Sequence, residues 1–582
     1  MIKNFYKLIF ILLAFLGLSI SAMAQINYEI TGNGTKFNVK GPLGSVATGV
    51  TIKAAIAAIK LDAQGMYCLI RFGNGNSTID LGTENIWFGD LDSDPHPWYN
   101  PILLQGKLTS ENTLCVIGMD HTSIISYANI TSFNKGTVFD VYESSLTIYE
   151  GTITATNGIA VANYGRDVII NNATVKATGY YGIAIYNDGQ CVTTIENGAK
   201  VTSDNDDGTR GTIYVKDGTV DIKGGIVENT ATDGIAINNN YRVSISGGTV
   251  STTNPFSTAI INNSTGTVEI SGGSISVAKQ ECNAIRNEIG GTLIIENGTI
   301  SAEGVWSNAI YNKGKLTINN GTIKATGEEN SAINNNGGTL KISGGTISST
   351  DNTISTSGTL NMSGGVILTT SDNGNAVFNS GHVGVYGGMI LAKKGYAISS
   401  TGTTSMDFGG ILFAYGTKLS DVLSEDDPEV INGAAIIAWN KDAGNTTYEF
   451  GTSNDIFKFP TAATVVWAKE GSNNGISVDA ADKGFIPIEG ITITGVGIEE
   501  LQVTSDELQV YPNPTTGELR VTSDELQVTS IEVFDIYGRT VSTHYSLLTT
   551  HYSMDISHLA NGIYFLKIQT EKGMVMKKIV KQ

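Results

Sequence analysis

The chain has 582 residues, too many for one ordinary hydrophobic core, so several domains or a repeat array are expected. Glycine is abundant (69 residues) and proline is scarce (10), which excludes collagen and proline-rich linkers. A hydrophobic content of 41% with 16% charged residues excludes a disordered polyelectrolyte, and a net charge of −19 argues against a nucleic-acid partner, because phosphate binding needs clustered Lys and Arg.

Residues 1–24 show the pattern of a secretory signal peptide. Two lysines precede an apolar stretch from Leu8 to Ile20, and small residues follow it. This pattern predicts cleavage between Ala24 and Gln25. A membrane anchor is the alternative, but the apolar stretch is short and no basic stop follows it. Since no later segment is apolar enough for a spanning helix, we expect no transmembrane span in the mature chain.

Residues 25–99 are expected to form an N-terminal cap and the first irregular coils of the repeat described below. In TIKAAIAAIKLDAQG, Ile52, Ile56 and Ile59 recur at helical spacing, which predicts an amphipathic helix over 51–64. Such a helix can cover the exposed end of a repeat array.

The end of this region contains a candidate cation site. Asp90, Asp92 and Asp94 have the D-x-D-x-D spacing of calcium loops, in which alternate carboxylates wrap a hard cation. Pro95 stands where an EF-hand has Gly, and Pro101 stands where it has a bidentate Glu. Both a Ca²⁺ site and an ordinary loop remain open here.

Residues 100–416 restate one unit of about 23 residues. In GKLTINNGTIKA, the apolar residues Leu316, Ile318 and Ile323 alternate with polar ones, which predicts strands. Gly321 allows the tight corner between them. Equivalent corner positions recur at intervals of 20 to 27 residues: Gly151, Ala173, Gly198, Gly225, Gly248, Gly273, Gly298, Gly321, Gly345, Gly365, Gly388 and Gly410.

A third short strand in each unit ends in an asparagine. The asparagines are Asn163, Asn187, Asn239, Asn262, Asn287, Asn312, Asn335 and Asn379. Asp217, Thr356 and Ser400 are expected to fill the same register elsewhere. Inward amides at a corner can hydrogen-bond to their counterparts above and below, as a ladder. An asparagine-lined binding stripe is the alternative.

Three short strands per unit indicate a parallel β-helix, in which each unit is one turn of a coil. A leucine-rich repeat has a different leucine spacing, and a propeller blade needs about 40 residues or more. The pattern resembles the right-handed parallel β-helix, or pectin-lyase-like, superfamily, and more closely the Gly-Gly-Thr-rich repeats of bacterial surface proteins. We expect an all-β chain, with a right-handed parallel β-helix solenoid followed by a β-rich extension and a small C-terminal β-sandwich.

The coils show little catalytic chemistry. The resemblance implies that an enzyme of this fold would use acidic clusters, often with Ca²⁺, and a basic residue near the substrate. Glycosidases need two carboxylates at one bond. The outward positions of the coils are instead mostly Thr, Ser, Asn and Lys, and Arg166, Arg242 and Arg286 are scattered among them.

One segment of the coils is rich in acidic residues. Asp204, Asp206 and Asp207 lie in SDNDDGTR, within the longest interval of the asparagine register. Insertions in a solenoid collect on one face, which is often the binding face. A Ca²⁺ or saccharide site and a solvated acidic loop are both consistent with this segment.

Residues 417–500 break the period. Strand patterns such as AAIIAWN and ATVVWAKEG predict a β-rich extension or cap. Trp439 and Trp467 lie in these strands, as core aromatics or as a platform for a sugar.

Residues 501–582 contain strand patterns joined by Gly, Pro and Asn turns, which suit a small β-sandwich. The segments YPNPTTGELRV, IEVFDIYGRTV, MDISHLANGIYFLKI and KGMVMKKIVKQ follow one another in this order. They closely resemble the C-terminal sorting domain of proteins exported by the type IX secretion system. The matching residues are Pro512, Asn513, Pro514, Gly517, Asp535, Gly538, Asn561, Gly562, Tyr564, Lys577 and Lys578.

This resemblance implies export by the type IX machinery across the outer membrane, followed by attachment to surface lipopolysaccharide or by release. We therefore expect a secreted or cell-surface β-helix protein without catalytic activity, which acts in adhesion or binds extracellular glycans or host surfaces. The alternative is a polysaccharide lyase or glycoside hydrolase whose substrate lies along a face of the β-helix. Neither hypothesis requires a cofactor, although Ca²⁺ at the two aspartate clusters remains open.

Overall fold

The structure is a computed structural model of the protein. It describes residues 26–63, 67–74, 77–89, 101–371, 374–392, 395–406, 410–415, 422–424, 429–430, 435–439, 467–468, 476–477, 508–512, 515–523, 528–535, 540–549, 551–557, 559–570 and 573–581. The predicted cleavage pair Ala24 and Gln25 and the aspartates Asp90, Asp92 and Asp94 lie outside these residues. The chain divides into two compact units, one within residues 1–450 and 458–495 and the other within 451–457 and 496–582.

The first unit begins with three antiparallel strands and a helix. The strands are β1 (Ile26–Asn33), β2 (Lys36–Gly41) and β3 (Gly44–Val50), and the helix α1 spans Ile52–Ala63. The Ala54 amide donates to the Thr51 hydroxyl at 3.3 Å, which caps the helix. Helix α1 buries Ile52, Ile56 and Ile59, and it contacts all three strands and Ile86–Phe88. This helix therefore covers the apolar end of the first coils, as the amphipathic pattern predicts.

After α1 the chain winds into a parallel solenoid with three ladders of stacked strands. Ladder 1 is built from Ile86–Phe88, Cys115–Asp120, Thr137–Tyr142, Ile159–Asn163, Ile183–Asn187, Ile213–Val215, Ile235–Asn239, Thr258–Asn262, Asn283–Asn287, Asn308–Asn312, Ser331–Asn335, Ile354–Thr356, Val377–Asn379 and Ile398–Ser400. Each of these strands pairs in parallel with the next one, about 4.8 Å away.

Ladders 2 and 3 follow ladder 1 within each coil, separated by the glycine corner. Ladder 2 is built from Ser123–Ser126, Ser145–Ile148, Asp167–Ile170, Val192–Ile195, Thr219–Ile222, Arg242–Ile245, Thr267–Ile270, Thr292–Ile295, Lys315–Ile318, Thr339–Ile342, Thr403–Met406 and Glu429–Val430. Ladder 3 is built from Thr78–Asp80, Asn129–Ser132, Thr152–Thr156, Thr174–Thr178, Lys200–Ser203, Ile226–Asn229, Thr249–Thr252, Ser274–Val277, Thr299–Ala302, Thr322–Ala325, Thr346–Ser349, Gly410–Tyr415 and Ala435–Trp439.

A few strands depart from this regular pattern. Three longer strands pass through the corner and serve both ladders: Ile102–Ser110, Thr359–Thr369 and His382–Leu391. The strand Cys68–Phe72 pairs in parallel with both β1 and Ile102–Ser110. The parallel pairing of ladder 3 continues to Trp439, beyond the expected end of the solenoid at residue 416. Trp467–Ala468 and Ile476–Ser477 add short antiparallel pairings after it.

The interior of the solenoid is filled by stacked Ile, Val, Leu and Ala side chains that form one continuous buried cluster from Tyr28 to Leu423. The motif GKLTINNGTIKA contributes Leu316, Ile318 and Ile323, all of which are buried. Since most coils place an apolar residue at these inward positions, the columns pack against their own repeats above and below, although one column of ladder 3 also holds buried polar residues such as Ser132 and Asn229. The four cysteines, Cys68, Cys115, Cys191 and Cys282, are also buried, with free thiols.

The asparagine column lies at the end of ladder 1 and is fully buried. From Asn239 to Asn335, each side-chain amide donates to the carbonyl of the next asparagine, at 2.7–2.8 Å. Asn335 donates to the Thr356 hydroxyl at 2.9 Å, and Asn379 donates to the Ser400 hydroxyl at 3.1 Å. The amides therefore satisfy one another inside an apolar column.

The expected position of Asp217 in this column is wrong. Val215 pairs with both Asn187 and Asn239, so an apolar residue interrupts the amides there. The flanking asparagines find backbone partners instead: the Asn187 amide donates to the Thr219 carbonyl at 2.9 Å, and Asn239 Oδ1 accepts from the Tyr241 amide at 3.1 Å. On the other side of Asn187, the Thr193 hydroxyl donates to Asn187 at 2.7 Å and accepts from Asn163 at 3.2 Å. Ladder 1 therefore tolerates valine at this position.

The second unit contains two small antiparallel sheets. One consists of Leu508–Tyr511, Glu518–Ser523 and His551–Asp555, and the other orders its strands as Thr540–Thr549, Val528–Asp535, Gly562–Thr570 and Gly573–Lys581. Leu519, Val533 and Ile568 belong to its separate hydrophobic core. Sequence and structure thus agree on small antiparallel sheets at the C-terminus.

Among the described residues, no helix is both long and apolar enough to cross a membrane.

Candidate functional site

The outer face of ladder 1 carries a row of tyrosines on successive coils. The rings of Tyr142 and Tyr164 are stacked, with centroids 4.8 Å apart and planes 8° from parallel. Tyr186 follows Tyr164 edge-on at 5.8 Å, and Tyr214 follows Tyr186 at 5.7 Å. Because adjacent coils place neighbouring rings within contact distance, the four tyrosines form a continuous aromatic surface.

The phenols of Tyr142, Tyr164 and Tyr186 stay protonated at physiological pH. Burial raises the pKa of Tyr142, Tyr164 and Tyr186 above the ordinary value, and the nearby carboxylates raise it further. The Tyr186 hydroxyl donates to Asp188 Oδ2 at 3.0 Å. Each ring therefore offers an apolar surface, while the proton of the Tyr186 hydroxyl is already directed at Asp188.

The tyrosine row ends in an open groove of about 350 Å³ on the same face. We call it the polar groove, and its lining residues are Gly208, Thr209, Tyr214, Asn238, Asn240, Ile261, Asn263, Arg286 and Glu288. The lining combines one aromatic ring, three amides and one ion pair, all of which are planar groups with hydrogen-bonding capacity.

The strand register explains why these residues converge. Tyr214, Asn238, Ile261 and Arg286 are direct partners on four successive strands of ladder 1. Asn240, Asn263 and Glu288 follow two residues later in three of the same coils. Two outward columns side by side, with a step of about 4.8 Å per coil, thus form the floor of the polar groove.

Hydrogen bonds hold the amides of the polar groove in fixed orientations. The Asn263 amide donates to Asn238 Oδ1 at 2.6 Å, and the Asn238 amide donates to the Thr209 carbonyl at 2.6 Å. The Asn240 amide approaches the Tyr214 hydroxyl at 3.4 Å. A rigid sheet with oriented polar groups is suited to binding, because little side-chain entropy is lost when a ligand arrives.

The insertion that contains Asp204 lies beside this groove. Asp207 Oδ1 accepts from the amides of Thr209 and Arg210, both at 2.8 Å. The Arg210 guanidinium lies 6.0 Å from the centre of the Tyr181 ring. With Gly208 and Thr209 in the lining, the insertion forms one wall of the polar groove.

The three aspartates of the insertion have separate surroundings. Asp204 accepts from the Gly179 amide at 2.6 Å, Asp207 folds the loop, and Asp206 is exposed. Within the part of the chain that the structure describes, no three His, Cys, Asp or Glu side chains gather in a way that could hold a metal ion. Asp204, Asp206 and Asp207 therefore do not form a cluster of metal ligands here.

The carboxylates near the polar groove are relevant to the alternative hypothesis of a polysaccharide lyase or glycoside hydrolase. Among the described residues that line it, Glu288 alone is a carboxylate, and it contacts both Arg286 and Lys313. A glycosidase needs two carboxylates on opposite sides of one bond. Asp140, whose pKa burial raises to about 6, lies on the same face but does not line the groove. Among the described residues that line the polar groove, Glu288 therefore has no second carboxylate opposite it.

Of the eight described residues of the C-terminal motif, Pro512, Gly517 and Asn561 lie between strands of the second unit, and the other five lie within its strands. Gly517 has φ = 150°, and a Cβ there would meet Ser557 at 2.9 Å. Asn561 precedes the strand of Gly562 and Tyr564, and the Tyr564 hydroxyl donates to the Ala560 carbonyl at 2.9 Å. The backbone strands include Asp535, Lys577 and Lys578. Pro512 is exposed, whereas Asn513, Pro514 and Gly538 lie outside the described residues.

Sequence reasoning missed most of the polar groove. Arg286 was one of several arginines scattered in the sequence, and the structure places it in the same groove as Tyr214 and Asn238. The signal was the variable residue just before the last residue of each ladder 1 strand, which is Tyr, Asn, Ile or Arg in these four coils. For Trp439 and Trp467 the structure describes the backbone strands alone, so their predicted roles are untested.

Residues 509–582 match the family model of the secretion system C-terminal sorting domain. The chain therefore carries a sorting domain that implies export through type IX secretion, to the cell surface or the extracellular space. A comparison with curated proteins finds no match to the chain.

Proposed function

We propose that the exported protein binds glycans in the polar groove and acts in adhesion at the cell surface, without catalysis. The observation that carries this proposal is the lining of the groove, with Tyr214, Asn238 and Asn263 on one rigid ladder. A sugar ring has an apolar face of C–H groups that packs on aromatic rings, and its hydroxyls pair with planar amides and ion pairs.

The position of the groove supports an extended ligand. The tyrosine row continues it along the solenoid axis, from Tyr214 back to Tyr142. A polysaccharide that follows this axis would contact one coil after another. Multiple weak contacts of this kind give useful avidity to a protein displayed on a surface. The partners that we propose are extracellular glycans, host surfaces and the lipopolysaccharide that anchors the protein.

A glycan array probed with the full mature chain tests this proposal. We expect Tyr214→Ala and Asn238→Ala to weaken binding of the array hits about tenfold or more, since each removes a central contact. Tyr386→Ala, which removes an exposed tyrosine from His382–Leu391, outside ladder 1, should leave binding unchanged.

Two results would contradict the proposal. Equal binding by the Tyr214→Ala and Tyr386→Ala variants would place the ligand elsewhere. Release of unsaturated or reducing sugars from the array hits would favour the lyase or hydrolase hypothesis instead.

A further inference from the structure

The cations around the polar groove are already paired with carboxylates. Glu288 contacts both the Arg286 guanidinium and the Lys313 ammonium, the latter at 3.3 Å. On the tyrosine side of the groove, the Lys216 ammonium lies 2.8 Å from Asp188. At the wall, Arg210 lies 3.6 Å from Asp207.

These ion pairs determine which class of ligand the polar groove can attract. An anionic sugar gains most from a cation that is free to turn toward it, but here each cation would first have to leave a carboxylate. The wall adds the charges of Asp204 and Asp206, and the whole chain has a net charge of −19. A polyanion would therefore be repelled both at long range and within the groove.

The remaining polar groups favour hydroxyls. The amides of Asn238, Asn240 and Asn263 offer both donors and acceptors, and none of them carries a net charge. A sugar hydroxyl can hydrogen-bond to both the donors and the acceptors, whereas a carboxylate or sulfate group can hydrogen-bond to the donors alone.

The geometry points to a groove that selects uncharged glycans over uronates and sulfated glycans, with Glu288 as the specificity-determining residue. This inference rests on the proposed glycan binding. Glu288 acts by occupying Arg286 and Lys313, so that neither is available to an anionic sugar.

The test uses the full mature chain and pairs of neutral and uronate oligosaccharides that share length and linkage. We expect the neutral member to bind about tenfold more tightly or better, with little change between low and high salt, because no net charge is neutralised. In Glu288→Gln, the released Arg286 and Lys313 should raise affinity for the uronate several-fold and make that binding sensitive to salt.

A matched control is available on another ladder. Glu269 pairs with Arg242 at 2.7 Å on ladder 2, so Glu269→Gln removes the same kind of ion pair away from the groove and should leave the preference unchanged. Preferential binding of uronates by the unmodified chain would overturn the inference while leaving glycan binding intact. An unchanged preference in Glu288→Gln would overturn the role of Glu288. Binding of no glycan at all would refute the proposed function itself.

Discussion

At the scale of single residues, the asparagine column shows how a polar group becomes part of a core. Asn287 accepts from Asn262 at 2.8 Å and donates to Asn312 at 2.7 Å, and it also donates to the Lys315 carbonyl at 3.1 Å. Each amide is thus satisfied by the coils before and after it. If the Asn287 side chain is removed, the Asn262 amide keeps the Gly266 and Thr292 carbonyls as acceptors, but the buried Asn312 Oδ1 loses the amide that donates to it.

We therefore expect Asn287→Ala to destabilise the coils around it by about 1–3 kcal/mol, since the buried Asn312 Oδ1 loses its amide donor. Because a solenoid can unfold locally, hydrogen exchange at residues 258–318 is the appropriate measurement. Thr317→Ala, at an outward position of ladder 2, should cost no more than about 0.5 kcal/mol. Equal protection in the two variants would show that the amides do not stabilise the column.

A second prediction concerns the carboxyl of Asp140. Burial raises its pKa from 3.8 to about 6, so the folded chain holds this proton more tightly than the unfolded chain. Between these two values the folded state binds more protons, and the free energy of unfolding therefore falls as pH rises toward 6, then levels off. We expect Asp140→Asn to abolish this contribution.

The measurement is the change in Tm between pH 4.5 and pH 7 for the unmodified chain and for the variant. The unmodified chain should lose more stability over this range than Asp140→Asn does. Asp221→Asn, the same substitution on ladder 2, is the control. A pH dependence of Asp140→Asn that matches the unmodified chain would contradict the prediction.

The sequence predicts the burial of inward residues better than it predicts the neighbours of outward residues. Inward residues such as Ile318 and Ile323 recur in every coil, so their pattern predicts their burial. Outward residues change from coil to coil because solvent tolerates almost any side chain there. The polar groove consists of such residues, and its members, among them Tyr214 and Arg286, are 72 positions apart in the chain. Whether these residues lie close together depends on the register between coils, which the sequence pattern alone does not predict.

At the scale of elements, the glycine corner determines how closely two coils can stack. Gly273 has φ = 78°, and a Cβ there would lie 2.9 Å from the backbone of Gly247 and Gly248 in the coil before. Gly337 has a similar φ of 76°, but nothing lies within 4 Å of its Cβ position. Substitution of these two glycines therefore distinguishes two free-energy costs. Both positions carry the cost of a left-handed backbone conformation, and of the two only Gly273 also carries the cost of a clash between stacked corners.

We expect Gly337→Ala to cost about 1–2 kcal/mol, for the left-handed conformation alone. Gly273→Ala should cost about 1–3 kcal/mol more, since its methyl group must displace backbone atoms of the adjacent corner. Urea unfolding, with hydrogen exchange at both corners, measures this difference. If the two substitutions cost the same, the stacking of corners contributes little.

Elements with a strong local period follow the sequence closely. The predicted helix over 51–64 appears as Ile52–Ala63, because its apolar face and Thr51 cap are local features. The register beyond Asn187 was harder to predict, because an insertion separates the next strand of ladder 1, Ile213–Val215. The sequence predicts that Asp217 takes the place of asparagine in the buried column, whereas the strand pairing places Val215 there.

At the scale of the whole molecule, the solenoid and the sorting domain have separate hydrophobic cores. The solenoid core runs through stacked coils up to Leu423, and the core of the second unit begins at Leu519. A solenoid is stabilised by contacts between neighbouring coils, so its central coils do not depend on a separate domain. Folding and export are therefore expected to respond differently to loss of the C-terminus.

We expect deletion of residues 509–582 to abolish export across the outer membrane while the coils stay folded, because the sorting domain lies within that segment. Fractionation of cells should find the truncated chain inside the outer membrane and the full chain at the surface or in the medium. Resistance of the central coils to protease, compared between the two chains, reports folding separately from location. The full-length Thr317→Ala variant should be exported normally, which controls for expression. A truncated chain that still reached the surface would show that the solenoid itself carries sufficient information for export, and a protease-sensitive one would show that its folding depends on the second unit.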